Sequence, residues 1–230
     1  MDDRCIIFYD SGIGGINLMK RTFLAFPKED YLYFGDFKNM PYGNKTDEKI
    51  RSLVSKNLGG LEKFIPKLIV VACNTASTVA AKAIQGRRVK TVGVYPKVNP
   101  TGTTALICTD ATARSAYVKK LSEKTKGLTV FSESDLASEI EKAVLSGDRP
   151  EIDPLKFKDY DFVSLGCTHY SYIKEKLLIF RPAGTVISGE DDAFCEISSF
   201  ISAHPHREQN GSVSFLSGNR AALKRIFSSI

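Results

Sequence analysis

The chain predicts an α/β protein of two similar lobes, with mostly parallel sheets flanked by helices and an active site in the cleft between them. Three observations predict it. Apolar runs of strand length alternate with helically spaced segments from end to end. Polar turns follow several of these runs, the clearest being Asp10-Ser11-Gly12-Ile13-Gly14-Gly15. Two runs, one in each half, end on a cysteine followed by polar residues: Val71-Ala72-Cys73-Asn74-Thr75 and Leu165-Gly166-Cys167-Thr168-His169. In open parallel sheets ligands bind beyond the carboxyl ends of strands, where Asp10, Cys73, Thr109 and Cys167 all fall.

In order along the chain, Cys5 to Tyr9 reads as a buried strand, and Ile16 to Phe26 as a helix that stops at Pro27. Asp30 to Phe34 is a strand, and Asp47 to Phe64 a long amphipathic helix. Leu68 to Ala72 is a strand, Ala76 to Ile84 a helix of small residues, and Val89 to Val94 a strand. Tyr95 to Gly102 breaks the pattern with two prolines and a glycine and marks a crossover. The second half repeats the theme. Strands are expected at Ala105–Cys108, Leu128–Phe131, Phe162–Leu165, Thr185–Ile187 and Val213–Phe215. Thr109 to Thr112 reads as a polar turn. Helices are expected at Ser115–Leu121, Leu136–Leu145, Tyr172–Leu178, Phe194–Ser202 and Arg220–Ile226. The expected division is 1–94 plus 187–230 for one lobe and 95–186 for the other, so that each lobe supplies one cysteine.

Hydrophobic residues make up 43% of the 230, enough for a core. No apolar run approaches the roughly 20 residues of a membrane helix, and the five-residue run after Arg4 is too short for a secretory leader. No membrane association is expected. Five cysteines without paired spacing fit a reducing compartment, so a cytoplasmic location is expected. The formal charge is +6, but the basic residues are scattered, with only short pairs such as Arg87-Arg88 and Lys119-Lys120. No nucleic-acid partner is expected, because such a footprint clusters on one element. A mild positive field suits a small anionic substrate.

A thiol at a strand tip, ringed by hydroxyls, an amide and an imidazole, suggests a reactive sulfur. Two such thiols suggest one substrate held between them. Other readings of these residues stay open. A buried cysteine also serves as a small hydrophobe, the reading adopted for Cys5, Cys108 and Cys195. Cys73, Cys167 and His169 offer zinc-ligand chemistry, although C-x-H lacks the spacing of structural sites. The glycine turn after Tyr9 offers a phosphate nest, but it is not G-x-G-x-x-G and no G-K-[ST] follows.

Five segments closely resemble the signatures of bacterial glutamate racemases, in the same order and at similar spacing. They are Phe8 to Gly15, Tyr33 to Asp36, Met40-Pro41-Tyr42-Gly43, Ala72-Cys73-Asn74-Thr75-Ala76-Ser77 and Leu165 to Tyr170. Cys108 to Ser115 is similar to the family's threonine-rich turn. The resemblance implies two α/β lobes closing on an amino acid, with no cofactor and no metal. It implies that Cys73 and Cys167 exchange the α-proton on opposite faces, assisted by Asp10 and His169 respectively. It implies substrate contacts from Asp10, Ser11, Pro41, Tyr42, Gly43, Asn74, Thr75, Thr109, Thr112, Thr168 and His169. D-Glutamate supply for peptidoglycan is the implied role, and a homodimer a further expectation.

The chain departs from the family pattern in places. Gly93-Val94-Tyr95-Pro96-Lys97 lacks the usual crossover glutamate, Ser171 replaces a proline, and Ser188-Gly189 replaces an Asp-Ser. The second lobe is shorter. The resemblance implies a carboxylate behind the second-lobe histidine, for which Glu139 and Glu141 are the candidates. The departures leave two alternatives: a related racemase, for aspartate, and a catalytically weak relative that binds or regulates.

Overall fold

The computed structural model describes residues 2–179, 181–182, 184–206 and 211–229. Met1 and Ile230, the ends of the expected first lobe, lie outside the described residues.

The first sheet contains β1 (Ile6–Asp10), β2 (Tyr31–Gly35), β3 (Leu68–Val71), β4 (Lys90–Gly93) and β9 (Val213–Phe215) in the order β4-β3-β1-β2-β9. The second contains β5 (Thr104–Cys108), β6 (Leu128–Ser132), β7 (Phe162–Gly166) and β8 (Val186–Ser188) in the order β6-β5-β7-β8. Among the described residues every strand pairing is parallel. Parallel strands need crossovers, which is why helices separate them in sequence.

Burial on both faces explains the unbroken apolar runs. In β1, Ile6 and Phe8 pack into one core layer, whereas Ile7 and Tyr9 pack into the other. This is the two-residue alternation of a strand. Truncating the fully buried Ile7 to alanine should cost about 2–5 kcal/mol, the usual range for emptying such a site.

The helices start and stop for local reasons. Helix α1 (Ile16–Ala25) buries Ile16, Leu18, Met19 and Thr22 and ends two residues before Pro27. Helix α2 (Asp47–Leu61) is capped by Thr46, whose side chain accepts from the Lys49 N–H, and carries Asp47 and Glu48 in its first turn.

Some elements differ from expectation. The helix expected over Ala76–Ile84 is two short helices, α3 (Asn74–Val79) and α4 (Ala81–Gln85). Ser77 Oγ bonds the Val71 carbonyl and Thr78 Oγ1 the Asn74 carbonyl, and such side-chain bonds compete with a continuous helix. The turn at Thr109–Thr112 is a single helical turn, α5 (Asp110–Ala113), capped by Thr109. Next come α6 (Ala116–Lys124), α7 (Ser134–Ser146) and α8 (Lys174–Leu178). Helix α9 (Glu190–Ala203) begins before the expected Phe194, because Glu190, Asp191 and Asp192 suit a helix N-terminus without being apolar. The last helix is α10 (Arg220–Ser229).

The late strand also differs. β8 pairs with β7 in the second sheet, so Ile187 and Ser188 do not join the first sheet. The return to the first sheet is made by β9, which pairs with β2.

Each sheet has a switch point. From β1 the chain moves to β2 on one side, then to β3 on the other. From β5 it moves to β6, then back across to β7. A crevice forms beyond the strand ends where direction reverses. Asp10 and Cys73 stand at the first switch point, Thr109 and Cys167 at the second.

Candidate active site

Cys73 follows β3 and forms the N-cap of α3. It is 5% exposed, and Ser11 Oγ lies 3.7 Å from its sulfur. Asp10 ends β1 and is fully buried. Its Oδ1 accepts the Gly12 N–H at 2.6 Å and its Oδ2 accepts the Thr168 hydroxyl of the second lobe at 3.0 Å. Burial pushes the Asp10 carboxyl up, against the pull of His169 and the Gly12 N–H. Burial also pushes the Cys73 thiol up, helped by the charge of Asp10. At neutral pH Cys73 therefore rests as a thiol.

Cys167 follows β7 and leads into a 3-10 turn, Thr168–Ile173. His169 Nδ1 lies 3.8 Å from Cys167 Sγ. His169 Nε2 donates to Glu141 Oε2 at 2.6 Å. Burial works against the imidazolium, but Cys167 and Glu141 together hold the His169 pKa well above its ordinary value. Of the two candidate glutamates, Glu141 is the partner. Ala137, Ile140 and Glu141 form the buried face of α7, while Glu139 points to solvent.

Three threonine hydroxyls meet across the lobes. Thr75 Oγ1 lies 2.9 Å from Thr109 Oγ1 and 3.1 Å from Thr112 Oγ1. The loop Met40–Gly43 closes the rim. The Gly43 carbonyl accepts the Ala111 N–H at 2.9 Å, and a Cβ at Gly43 would sit 2.7 Å from Thr109 Cβ. Half-buried Pro41 enters this loop. The Tyr42 hydroxyl turns inward to Asp36, leaving backbone groups for the rim. Asn74 donates to the Val94 carbonyl, and among the described residues its buried Oδ1 has no hydrogen-bond partner.

No protein-family model matches the chain. A glutamate racemase of Clostridium botulinum (strain Alaska E43 / Type E3) is 37% identical over 192 residues, 76% of this chain and 74% of that protein. The chain belongs to the glutamate racemase family. The solved glutamate racemase of Francisella tularensis, in complex with D-glutamate, superposes with a TM-score of 0.77 at 25% identity. That likeness covers 100% of this chain and 95% of the other. The glutamate racemase of Thermus thermophilus, in complex with β-chloro-D-alanine, also gives 0.77 at 25% identity. It covers 98% of this chain and 92% of the other.

Relative to the glutamate racemase motifs, the contacts missing from the sequence reading are those between lobes. Ile13 N–H donates to Glu141 Oε2 at 3.0 Å, so one carboxylate oxygen serves both the first-lobe turn and His169. The Tyr172 hydroxyl donates to the Ile13 carbonyl at 3.2 Å. Asn17 Nδ2 donates to Ser171 Oγ at 2.6 Å. Ser171 was visible as a departure from the family, but its partner 154 residues away was not. Arg114 Nε donates to Asp47 Oδ1 at 2.9 Å, and its Nη2 donates to the Lys45 carbonyl. At the crossover, the Tyr95 ring packs on Tyr117 with centroids 5.1 Å apart. Among the described residues, no group of three or more His, Cys, Asp and Glu is placed to hold a metal ion, and no helix is long and apolar enough to cross a membrane.

Proposed function

We propose that the chain interconverts L- and D-glutamate with two thiols and no cofactor, supplying D-glutamate for peptidoglycan in the cytoplasm. The observation that carries the reading is two buried strand-end sulfurs, each with a titratable group in reach of its charge: Asp10 on the strand next to that of Cys73, and His169 Nδ1 3.8 Å from Cys167 Sγ. One thiolate removes the α-proton from one face of the substrate, and the opposite thiol returns a proton to the other face. The roles of the sulfurs are then exchanged, which readies the site for the reverse direction. Asp10 takes and returns the Cys73 proton, and His169 that of Cys167.

The cradle is divided by chemistry. Asp10 and the unpartnered Asn74 Oδ1 are acceptors suited to the α-ammonium. Ser11, Thr168 and the Tyr42–Gly43 backbone suit the α-carboxylate. Thr75, Thr109 and Thr112 suit the distal carboxylate, one group contributed by both lobes. This reach favours glutamate over aspartate. We divide the lobes after Ser188, where β8 leaves the second sheet.

The test is D-glutamate formation from L-glutamate by dialysed protein, with solvent deuterium followed at the α-carbon. Exchange in both enantiomers is expected. Well-folded protein that exchanges neither glutamate nor aspartate would refute the enzyme reading.

A further inference from the structure

Beneath the rim loop lies a buried polar cluster that the two-thiol chemistry does not use. The Tyr42 hydroxyl donates to Asp36 Oδ2 at 2.6 Å. Tyr9 and Tyr42 oxygens are 2.7 Å apart. Asn57 Nδ2 lies 3.2 Å from Tyr9 Oη, 3.2 Å from Tyr42 Oη and 3.0 Å from Asp36 Oδ2. Asn39 Nδ2 also donates to Asp36, at 2.9 and 3.1 Å. Tyr9, Tyr42 and Asp36 are 0%, 1% and 6% exposed.

The donors have a forced direction. A phenol has one proton. Tyr42 spends its proton on the Asp36 carboxylate, so Tyr9 must donate to Tyr42. Asn57 then supplies the remaining donors, two hydrogens shared among three oxygens. The Tyr42 ring is thus fixed by an ordered chain that begins on β1 and α2 and ends on Asp36 Oδ2. Gly43, the next residue, contacts Ala111 and Thr109 of the second lobe, so the ring's position sets where the rim meets the threonines.

We propose that Tyr9 and Asn57 are positioning residues for substrate binding, acting through Tyr42 on the Tyr42–Gly43 rim and not on the sulfurs. The inference rests on the racemase reading. Neither side chain bonds to Asp10, Cys73, Cys167 or His169, so proton transfer should be left intact while binding weakens.

The experiment compares Tyr9→Phe, Asn57→Leu and Asn57→Gln with the parent chain. Tyr9→Phe keeps the ring and should fold. KM for glutamate should rise about three- to tenfold in Tyr9→Phe and Asn57→Leu, the ratio corresponding to a lost neutral hydrogen bond. Turnover should change less than about twofold, well below the loss from removing a catalytic acid or base. Asn57→Gln, which keeps its donors, should recover part of the KM. Amide exchange over residues 40–44 should quicken in Tyr9→Phe and Asn57→Leu. Unchanged KM and unchanged exchange at 40–44 would overturn the inference, as would a fall in turnover with KM unchanged. A parent chain that fails to exchange the α-proton refutes the racemase reading instead. Amide exchange over 40–44 then decides the positioning alone.

Discussion

The two sulfurs occupy equivalent places in their sheets but unlike surroundings. Each follows the strand at a switch point, beside the strand that starts the sheet. Around Cys73, burial and the charge of Asp10 hold the proton on sulfur, against the pull of the Ser11 hydroxyl. Around Cys167 the neighbour is an imidazole tied to Glu141, and it is held in its protonated form. The same backbone device repeated twice therefore presents two different electrostatic surroundings to its sulfurs. A symmetric pair would begin with both sulfurs in one state, whereas a two-face proton exchange needs opposite states.

The comparison breaks most sharply at the sulfurs themselves. Cys73→Ser and Cys167→Ser should each lower racemisation by about 10²–10⁴-fold or more, the range for a positioned acid or base. One-sided exchange, from a single enantiomer, should survive in at least one variant. Near-normal racemisation in either would mean that the sulfurs are not the bases.

Glu141→Gln acts chiefly on the second face, because a glutamine amide oxygen can still accept the Ile13 N–H. It removes the anion on which His169 leans and should lower turnover about tenfold or more, as losses of supporting partners do. Because L- and D-glutamate are equally stable, kcat/KM must fall equally in both directions. The asymmetry should appear as a larger α-deuterium isotope effect on the enantiomer whose proton Cys167 removes. Equal isotope effects on the two enantiomers would remove the distinction between the faces.

Glu190 probes a buried carboxyl, whose Oε1 has no hydrogen-bond partner among the described residues. Its carboxyl is pushed up to about 8, first by burial and then by Asp191, with Lys174 and Arg21 opposing. Between its ordinary 4.5 and about 8 the folded chain holds a proton that the unfolded chain has lost. Stability from this group should therefore fall as pH rises through that window and level off above it. Glu190→Gln should flatten that slope in denaturant titrations at pH 5 and pH 8, whereas an unchanged slope would assign it to other groups.

The smallest effect is expected at the mouth. Arg114→Met removes the exposed pair with Asp47, worth about 0–1 kcal/mol, and should raise KM about twofold or less. A larger rise would make this contact a working latch on lobe closure.

Both strand-end cysteines, the acid turn after β1 and the alternation of strands with helices could be read from local patterns. The reading was weaker where an element is shorter than its own period. Asp110–Ala113 is one helical turn and offers no repeat to detect. It also failed where side-chain hydroxyls redirect the backbone, as at Ser77 and Thr78. Glu141 could be narrowed to two positions, since i and i+2 fall on different faces of a helix, but choosing between them required the core that α7 packs on.

The sequence by itself determined the parallel architecture, the two strand ends that carry sulfur and the residues beside them, because each is a matter of neighbours within a few positions. Only the tertiary structure decided which groups pair across the cleft. Ile13 with Glu141, Asn17 with Ser171 and Thr75 with Thr112 are separated by 128, 154 and 37 residues. Local pattern carries no information on such pairs. They are selected by where two independently ordered sheets place their switch points, and by the cost of leaving a buried donor or carboxylate without a partner.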